Sequence, residues 1–347
     1  MSLVANARSL SRPARNARAH WSERASCIVT LKSDDGGRGQ GEASPLPGFS
    51  PDQLLDCERA LAALDLRGIP ARLGPGQDLK SELCRASVRI PPTLPAARAA
   101  LEGALLDLWA RAAGVPAWAL LRPAPPKPAA RPVAALLSGE PEQALEQALA
   151  ARARGIATFK FKIGRAGALE RELSAVHALR AALGPAARLR LDGNQALSLA
   201  EASHYLPHFA QCELEFIEEP CAPHELDRLR ALGLPLALDE SLASGALPQR
   251  GDRALILKPT LVGGVGACLE LWEAAHAVGA EVIVSHAFEG PLGLGLSAAL
   301  ALSIGSESLA QGLDPEGAQL DPLNLPYYAQ ATIAPWPEPG FGIGEQP

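Results

Sequence analysis

The sequence predicts an α/β protein, a TIM-type parallel barrel preceded by an α+β first third. Three observations carry this. From about residue 131 onward, short apolar strands alternate with Ala- and Leu-rich helical segments, which implies a parallel sheet. There are seven or eight such units, the number a barrel needs. The strands also end, one after another, on charged or hydroxyl side chains, where a barrel places its chemistry.

The elements follow in order. Residues 1 to about 50 read as strands and loops, with a strand over 26–31. The stretch 39–50 ends a strand and forms a rigid loop rich in Pro and Gly. Ser50 and Pro51 are expected to open a helix, Ser50 as its cap and Pro51 in its first turn. A strong helix covers 96–113 and stops at Gly114, ahead of Pro116. The Pro-rich stretch 122–128 is an expected boundary. The domain expectation is therefore an α+β unit over 1–125, a barrel over 126–325, and a C-terminal segment, 326–347, that packs back on the first unit. Barrel strands are expected at 133–137, 158–162, 189–192, 214–218, 236–239, 254–258 and 281–285, with helices such as 168–183 and 267–278 between them.

Composition bounds the function. The chain has 347 residues, enough for one large domain or two ordinary ones. It is 48% hydrophobic with mean hydropathy +0.06, ample for a core, but only 4% aromatic, so Ala, Leu and Val must do most of the packing. The net charge of −6, with no basic run, argues against a nucleic-acid partner. The six cysteines are scattered, none in CxxC spacing, and read as small buried apolar residues. No apolar run approaches the ~18 residues of a membrane helix. The N-terminus lacks the apolar core of a secretory signal, and its arginines (Arg8, Arg12, Arg15, Arg18) only faintly resemble a transit peptide. The expectation is a cytoplasmic protein acting on a small molecule. The sequence sets no oligomeric state.

The expected strand ends are Lys162, Asp192, Glu218, Asp239, Lys258 and Ser285. Alternation puts Lys160 on the same inward face as Lys162, and Arg190 one layer below Asp192, while Leu189, Leu191, Ile217, Leu236, Leu238, Leu255 and Leu257 face the helices. Asp192, Glu218 and Asp239 thus converge from three adjacent strands. Three carboxylates share a dry site only when a cation neutralises them. An all-oxygen set favours Mg²⁺ or Mn²⁺, whereas zinc would want His or Cys. Glu219 and Glu240 are neighbours that could substitute as ligands, although strand parity favours Glu218 and Asp239.

Such a cation, holding a substrate carboxylate, stabilises the dianion formed when an α-proton leaves. A lysine serves as base once the metal, a second lysine and desolvation lower its pKa. Lys160, Lys162 and Lys258 are placed for this. His204 and His208, at i,i+4 spacing on an expected helix, read as surface residues. His286 follows Ser285 and is a candidate wall residue. Gly263, Gly264 and Gly266 suit a tight turn or a close approach better than a phosphate loop.

These residues resemble the enolase superfamily, specifically its muconate-lactonising subgroup. The resemblance rests on Lys160-Phe161-Lys162, Leu191-Asp192-Gly193-Asn194, Phe216-Ile217-Glu218-Glu219-Pro220, Leu238-Asp239-Glu240-Ser241 and Leu257-Lys258-Pro259-Thr260. It implies a (β/α)7β barrel, a capping role for the N-terminal α+β domain, and Mg²⁺ (or Mn²⁺) held by Asp192, Glu218 and Asp239. It implies Lys162 as the base that also returns the proton, Lys160 as its tuner, and Lys258 stabilising the enediolate from the other face. Within the subgroup, residues 41–50, 258–264, 285–295 and 311–314 are similar to o-succinylbenzoate synthases of the proteobacterial type. That similarity implies dehydration of 2-succinyl-6-hydroxy-2,4-cyclohexadiene-1-carboxylate in menaquinone biosynthesis, with Gly48 closing the capping loop and Ser285 and Gly264 lining the succinyl end. Arg190 and Asn194 complete the expected substrate contacts. An N-succinylamino-acid racemase or dipeptide epimerase would use the same lysines as opposed acid and base. The Asp-x-Asp typical of dipeptide epimerases is absent from Leu313-Asp314-Pro315-Glu316. A non-catalytic barrel is the third reading, and loss of a lysine or a ligand would have supported it.

Overall fold

Inward and outward residues of the parallel strands separate in the computed structural model as alternation requires. The structure describes residues 2–6, 14–15, 20–21, 24–74, 76–121, 128–316, 325–329 and 331–344. The expected boundary at 125/126 lies outside them.

The N-terminal part is a three-stranded antiparallel sheet: β1 (Ser2–Asn6), β2 (Cys27–Lys32) and β3 (Arg38–Ala43), in the order β1-β2-β3. It carries helices α1 (Leu54–Ala62), α2 (Leu79–Ser87) and α3 (Pro95–Ala113). Helix α3 starts with Pro at its first turn and ends at Gly114, whose φ of 70° is the left-handed conformation glycine adopts at a helix end. It lies so close to β3 that a Cβ on Gly41 would sit 2.0 Å from the Ala100 carbonyl oxygen. Helix α1 begins later than its sequence suggests. Its cap residue is Gln53, and Ser50 is occupied elsewhere, its Oγ accepting from the Leu46 N–H at 2.7 Å. The turn at 46–50 outcompetes the helix for that hydroxyl.

The second part is one seven-stranded parallel sheet: β4 (Ala134–Leu137), β5 (Thr158–Lys162), β6 (Arg188–Asp192), β7 (Leu214–Glu218), β8 (Leu236–Leu238), β9 (Asp252–Leu257) and β10 (Glu281–Val284), in sequential order. Between them run α4 (Ala144–Ala153), α5 (Leu169–Leu183), α6 (Leu199–Ala210), α7 (Leu226–Arg230) and α8 (Val265–Val278); α9 (Pro291–Ile304) follows β10. The sheet is curled, because one segment touches both of its edges: Gln311 bridges Val133 beside β4, and Gly312 bridges Ser285 after β10. The interior holds a small apolar plug (Phe216, Ala237, Ala254, Ile256, Ile283, Leu309). Leu189, Leu191, Ile217, Leu236, Leu238, Leu255 and Leu257 instead join the core under the helices. Strands β8, β9 and β10 stop one residue short of the expected Asp239, Lys258 and Ser285, which begin the loops beyond the strand ends.

The two parts are joined by buried carboxylates. Glu42 of β3 accepts from the N–H groups of Gly290 (2.7 Å) and Gly293 (3.1 Å) at the start of α9. Glu102 of α3 accepts from Gly266 N–H (2.8 Å) at the start of α8 and from Ser87 Oγ. Each carboxylate satisfies otherwise unpaired donors at a helix N-terminus, where negative charge is favoured. The C-terminal segment returns to α3, with Phe341 N–H donating to Asp107 Oδ1 at 3.0 Å and Arg111 Nη2 to the Ile343 carbonyl at 3.0 Å. Five cysteines are buried, Cys84 is half-buried, and all six are free. Among the described residues no helix is long and apolar enough to cross a membrane.

Candidate active site

A cavity of about 370 Å³ opens at the C-terminal ends of the strands. Its floor and walls come from Lys160, Lys162, Arg190, Asp192, Glu218 and Lys258, and its rim from Leu46 and Phe49 of the N-terminal part. Register explains the convergence. Lys162 pairs with Asp192, and Asp192 with Glu218, so the three stand level on adjacent strands.

Each carboxylate faces an ammonium. Lys160 Nζ is 2.6 Å from Glu218 Oε1 and 3.0 Å from Asp192 Oδ2. Lys162 Nζ is 2.8 Å from Asp192 Oδ2 and also donates to Asn194 Oδ1. Lys258 Nζ is paired with Asp239 Oδ2. Burial would lower the Lys160 ammonium, but Asp192, Glu218 and Asp239 override it and hold it above its ordinary value. Lys258 is raised in the same way, chiefly by Asp239. Both are raised because carboxylates lie closer to each ammonium than other cations do. Burial also opposes ionisation of Asp192, yet Lys160 and Lys162 hold it well below the usual carboxylate range. Glu218 goes the other way, pushed up to about 8 by burial and by Asp192. Asp239 is raised by burial, with Glu240 adding to it.

Among the described residues no three His, Cys, Asp or Glu side chains stand together as a ready metal cage. The donor set nonetheless fits a hard divalent cation. It is all carboxylate oxygen, and Glu218 Oε2 and Glu240 Oε2 are buried without a hydrogen-bond partner. Burial raises Glu218 and Asp239, and a cation beside them would favour their ionised forms.

The alternative ligands part company. Glu219 is committed to the backbone: its Oε1 accepts from Asp239 N–H and Ser241 N–H, both at 3.0 Å. Glu240 lines the cavity and accepts from Asn194 Nδ2 at 2.8 Å. Asp239, 3% exposed, does not line the cavity. The turn after β6 is tight. Gly193 leaves no room for a side chain, since a Cβ there would meet Pro220 Cα at 2.6 Å. Asn194 and Gln195 follow with φ of 41° and 60°, aiming their amides at Lys162 and Glu219.

Of the expected substrate contacts, Ser285, Arg190 and Asn194 line the cavity, and Gly48 and Gly264 do not. Gly264, at φ 108°, packs on Glu102 instead. Arg190 is fixed by Glu215 Oε2 (2.6 Å), the Ala310 carbonyl (2.8 Å) and the Phe216 ring (4.7 Å). His204 and His208 are exposed on α6, away from the site. Sequence reasoning missed the rim as a unit. Arg24 ties it together, donating to the carbonyls of Pro45 (2.7 Å), Ser44 (3.1 Å) and Ala287 (3.1 Å). The rim's apolar side is Leu46, Leu261, Ala287 and Phe288 with Phe49. No local pattern signals contacts between residues more than 200 apart in the chain.

Comparison with known proteins agrees with this geometry. The family described as mandelate racemase / muconate lactonizing enzyme, N-terminal domain, matches residues 1–122, and the enolase C-terminal domain-like family matches residues 143–344. The o-succinylbenzoate synthase of Klebsiella pneumoniae (strain 342) is 30% identical over 321 residues, 90% of this chain and 86% of the relative. That of Enterobacter sp. (strain 638) is 33% identical over 296 residues, 83% of this chain and 81% of the relative. Among solved structures, a dipeptide epimerase from Methylococcus capsulatus, complexed with Mg and the dipeptide L-Arg-D-Lys, superposes with a TM-score of 0.79 at 25% identity, covering 98% of each chain. With both of its domains matched and its strand-end residues in register, the chain belongs to the enolase superfamily.

Proposed function

We propose that this chain is an o-succinylbenzoate synthase: it removes water from 2-succinyl-6-hydroxy-2,4-cyclohexadiene-1-carboxylate to give o-succinylbenzoate. The observation that carries the reading is the level row Lys162–Asp192–Glu218 at the cavity floor, with Lys258 across from it. Two o-succinylbenzoate synthases aligned over more than four-fifths of the chain support the substrate. The architecture we infer is a closed (β/α)7β barrel with Gln311–Gly312 in the eighth position, a capping domain over 1–125, a barrel over 126–325, and a C-terminal segment.

Asp192, Glu218 and Asp239 would hold Mg²⁺, with Glu240 beside them. Bound there, the cation would neutralise the acid cluster and stabilise the negative charge that builds on the substrate carboxylate. Lys162, as the free amine, takes the proton from the carbon bearing that carboxylate. The electron pair moves into the ring, the C6 hydroxyl leaves, and Lys162 returns the proton to it, so that water departs and the amine is regenerated. Lys258 stays protonated, as its carboxylate neighbours favour, and faces the developing negative charge from the other side. Lys160, raised by the same carboxylates, keeps a positive charge beside Lys162. Leu46, Phe49 and Phe288 give the rim an apolar face toward the substrate.

The superposed epimerase favours a second reading, racemisation of an N-acylated amino acid or a dipeptide with Lys162 and Lys258 as opposed acid and base. Incubation with N-succinyl amino acids in D₂O separates the two. Deuterium at the α-carbon of recovered substrate, with no turnover of the diene, would move the assignment to the racemase.

A further inference from the structure

One carboxylate of the cavity belongs to no part of this chemistry. Asp314, just beyond the Gln311–Gly312 bridge, lines the cavity and is 3% exposed. Its two oxygens each accept from Arg154, Oδ1 from Nη1 and Oδ2 from Nη2, both at 3.0 Å. This is the parallel two-bond geometry in which a guanidinium grips a carboxylate most strongly. Tyr328 OH donates to Oδ1 at 3.4 Å, and Glu316 stands 3.1 Å from the same guanidinium. Arg154 itself does not line the cavity. It caps the C-terminus of α4 and reaches Asp314 through a second, smaller cavity outside the strand layer, bounded by Leu137, Gln147 and Glu316. Asp314 is thus a wall residue between two spaces, held from behind by a guanidinium whose other carboxylate partner, Glu316, is exposed to solvent screening.

That balance matters to any ligand. A bare carboxylate in the wall would repel a carboxylate-bearing arm and attract an ammonium. Engaged by a guanidinium, it does neither. We propose that Arg154 is a specificity residue acting through Asp314: by neutralising the carboxylate from outside, it lets the cavity take a dicarboxylate and removes a foothold for an ammonium-bearing ligand. The proposal rests on the carboxylate-substrate reading above.

The test is a double-mutant cycle of Arg154→Met, Asp314→Asn and the pair. It is read by steady-state kinetics on the diene and by equilibrium binding of o-succinylbenzoate with Mg²⁺, which needs no turnover. Arg154→Met is expected to raise KM and weaken o-succinylbenzoate binding about tenfold, through like-charge repulsion across the cavity, with kcat within about threefold. The double variant is expected to return both to within about threefold of the unaltered protein, because the amide carries no charge to neutralise. Arg154→Met alone should also become more sensitive to competition by L-alanyl dipeptides. A double variant as impaired as Arg154→Met, or a loss in kcat with KM and binding unchanged, would overturn the proposal and reduce Arg154 to packing. Circular dichroism confirms that each variant is folded. Failure of the unaltered protein to turn over the diene would remove the function assigned above, while the binding arm would still decide the role of Arg154.

Discussion

Lys160 Nζ lies 2.6 Å from Glu218 Oε1, while the second oxygen of the same carboxylate is buried with no partner. One oxygen of Glu218 is thus satisfied by the Lys160 ammonium, and the other is left for the cation proposed above. Lys160, Lys162 and Lys258 together offset Asp192, Glu218 and Asp239, so the six groups stand together without large net charge. The pairing also defines what substitutions should do.

Glu218→Gln and Asp239→Asn should each weaken Mg²⁺ binding by about 100-fold or more, since each removes a charged donor from a small oxygen set. Glu240→Gln should cost less, if Glu240 stands beside the ligand set and not in it. Isothermal titration with Mg²⁺ ranks the three. Chelation should abolish turnover in the unaltered protein, and added Mg²⁺ should restore it.

Glu42 tests the seam between the two parts. Glu42→Ala strips two N–H groups at the start of α9 of their acceptor, in a buried place. The expected cost is about 1–3 kcal/mol, seen as a Tm lower by a few degrees. Because α9 follows directly on the His286–Phe288 stretch of the cavity wall, KM should rise as well. Glu42→Gln, which keeps one acceptor, should recover part of both.

Glu102 should give the protein a pH-dependent stability. Burial raises its carboxyl above the ordinary range, although Ser87 Oγ and the Gly266 N–H pull it down. A carboxyl whose folded-state pKa is raised binds its proton more tightly in the folded chain. Its contribution to stability is therefore complete below the unfolded-state value, about 4.3, and is lost as pH rises through the folded-state value. Glu102→Gln cannot ionise, so its Tm should fall less than that of the unaltered protein between pH 5 and pH 8. Thermal unfolding at the two pH values checks the sign.

Gly264 separates structure from substrate contact. At φ 108°, and with its missing Cβ 2.6 Å from Glu102 Oε2, it leaves no room for alanine. Gly264→Ala should destabilise by about 1–3 kcal/mol and leave KM within about threefold, because residue 264 does not border the cavity. A large KM change with unchanged Tm would return it to the substrate site.

How far the sequence speaks for the fold and the site follows from the range of each interaction. Alternation within single strands was enough to place Lys160, Lys162, Asp192 and Glu218 facing inward and Leu189, Leu191 and Ile217 facing the helices, because period two is a local property. The glycine stop of α3 was local too. What alternation could not show is where side chains from distant segments meet. Glu42 with Gly290, Arg24 with Ala287, and Arg154 with Asp314 are separated by 248, 263 and 160 residues. Competition was equally hidden. Ser50 has the chemistry of a helix cap, and a backbone N–H four residues away claims it first. Glu219 and Glu240 both resembled ligands, and only their partners show Glu219 bound to backbone amides and Glu240 in the cavity wall.

The most direct test of the central claim is ultraviolet absorbance of the diene incubated with the purified protein, with and without Mg²⁺, beside the Lys162→Ala variant. The account predicts Mg²⁺-dependent loss of the diene band with o-succinylbenzoate as product, and a rate at least about 10³-fold lower for Lys162→Ala, the scale of losing an acid–base group. An unchanged diene band in the presence of Mg²⁺, or a Lys162→Ala variant as fast as the unaltered protein, would contradict it.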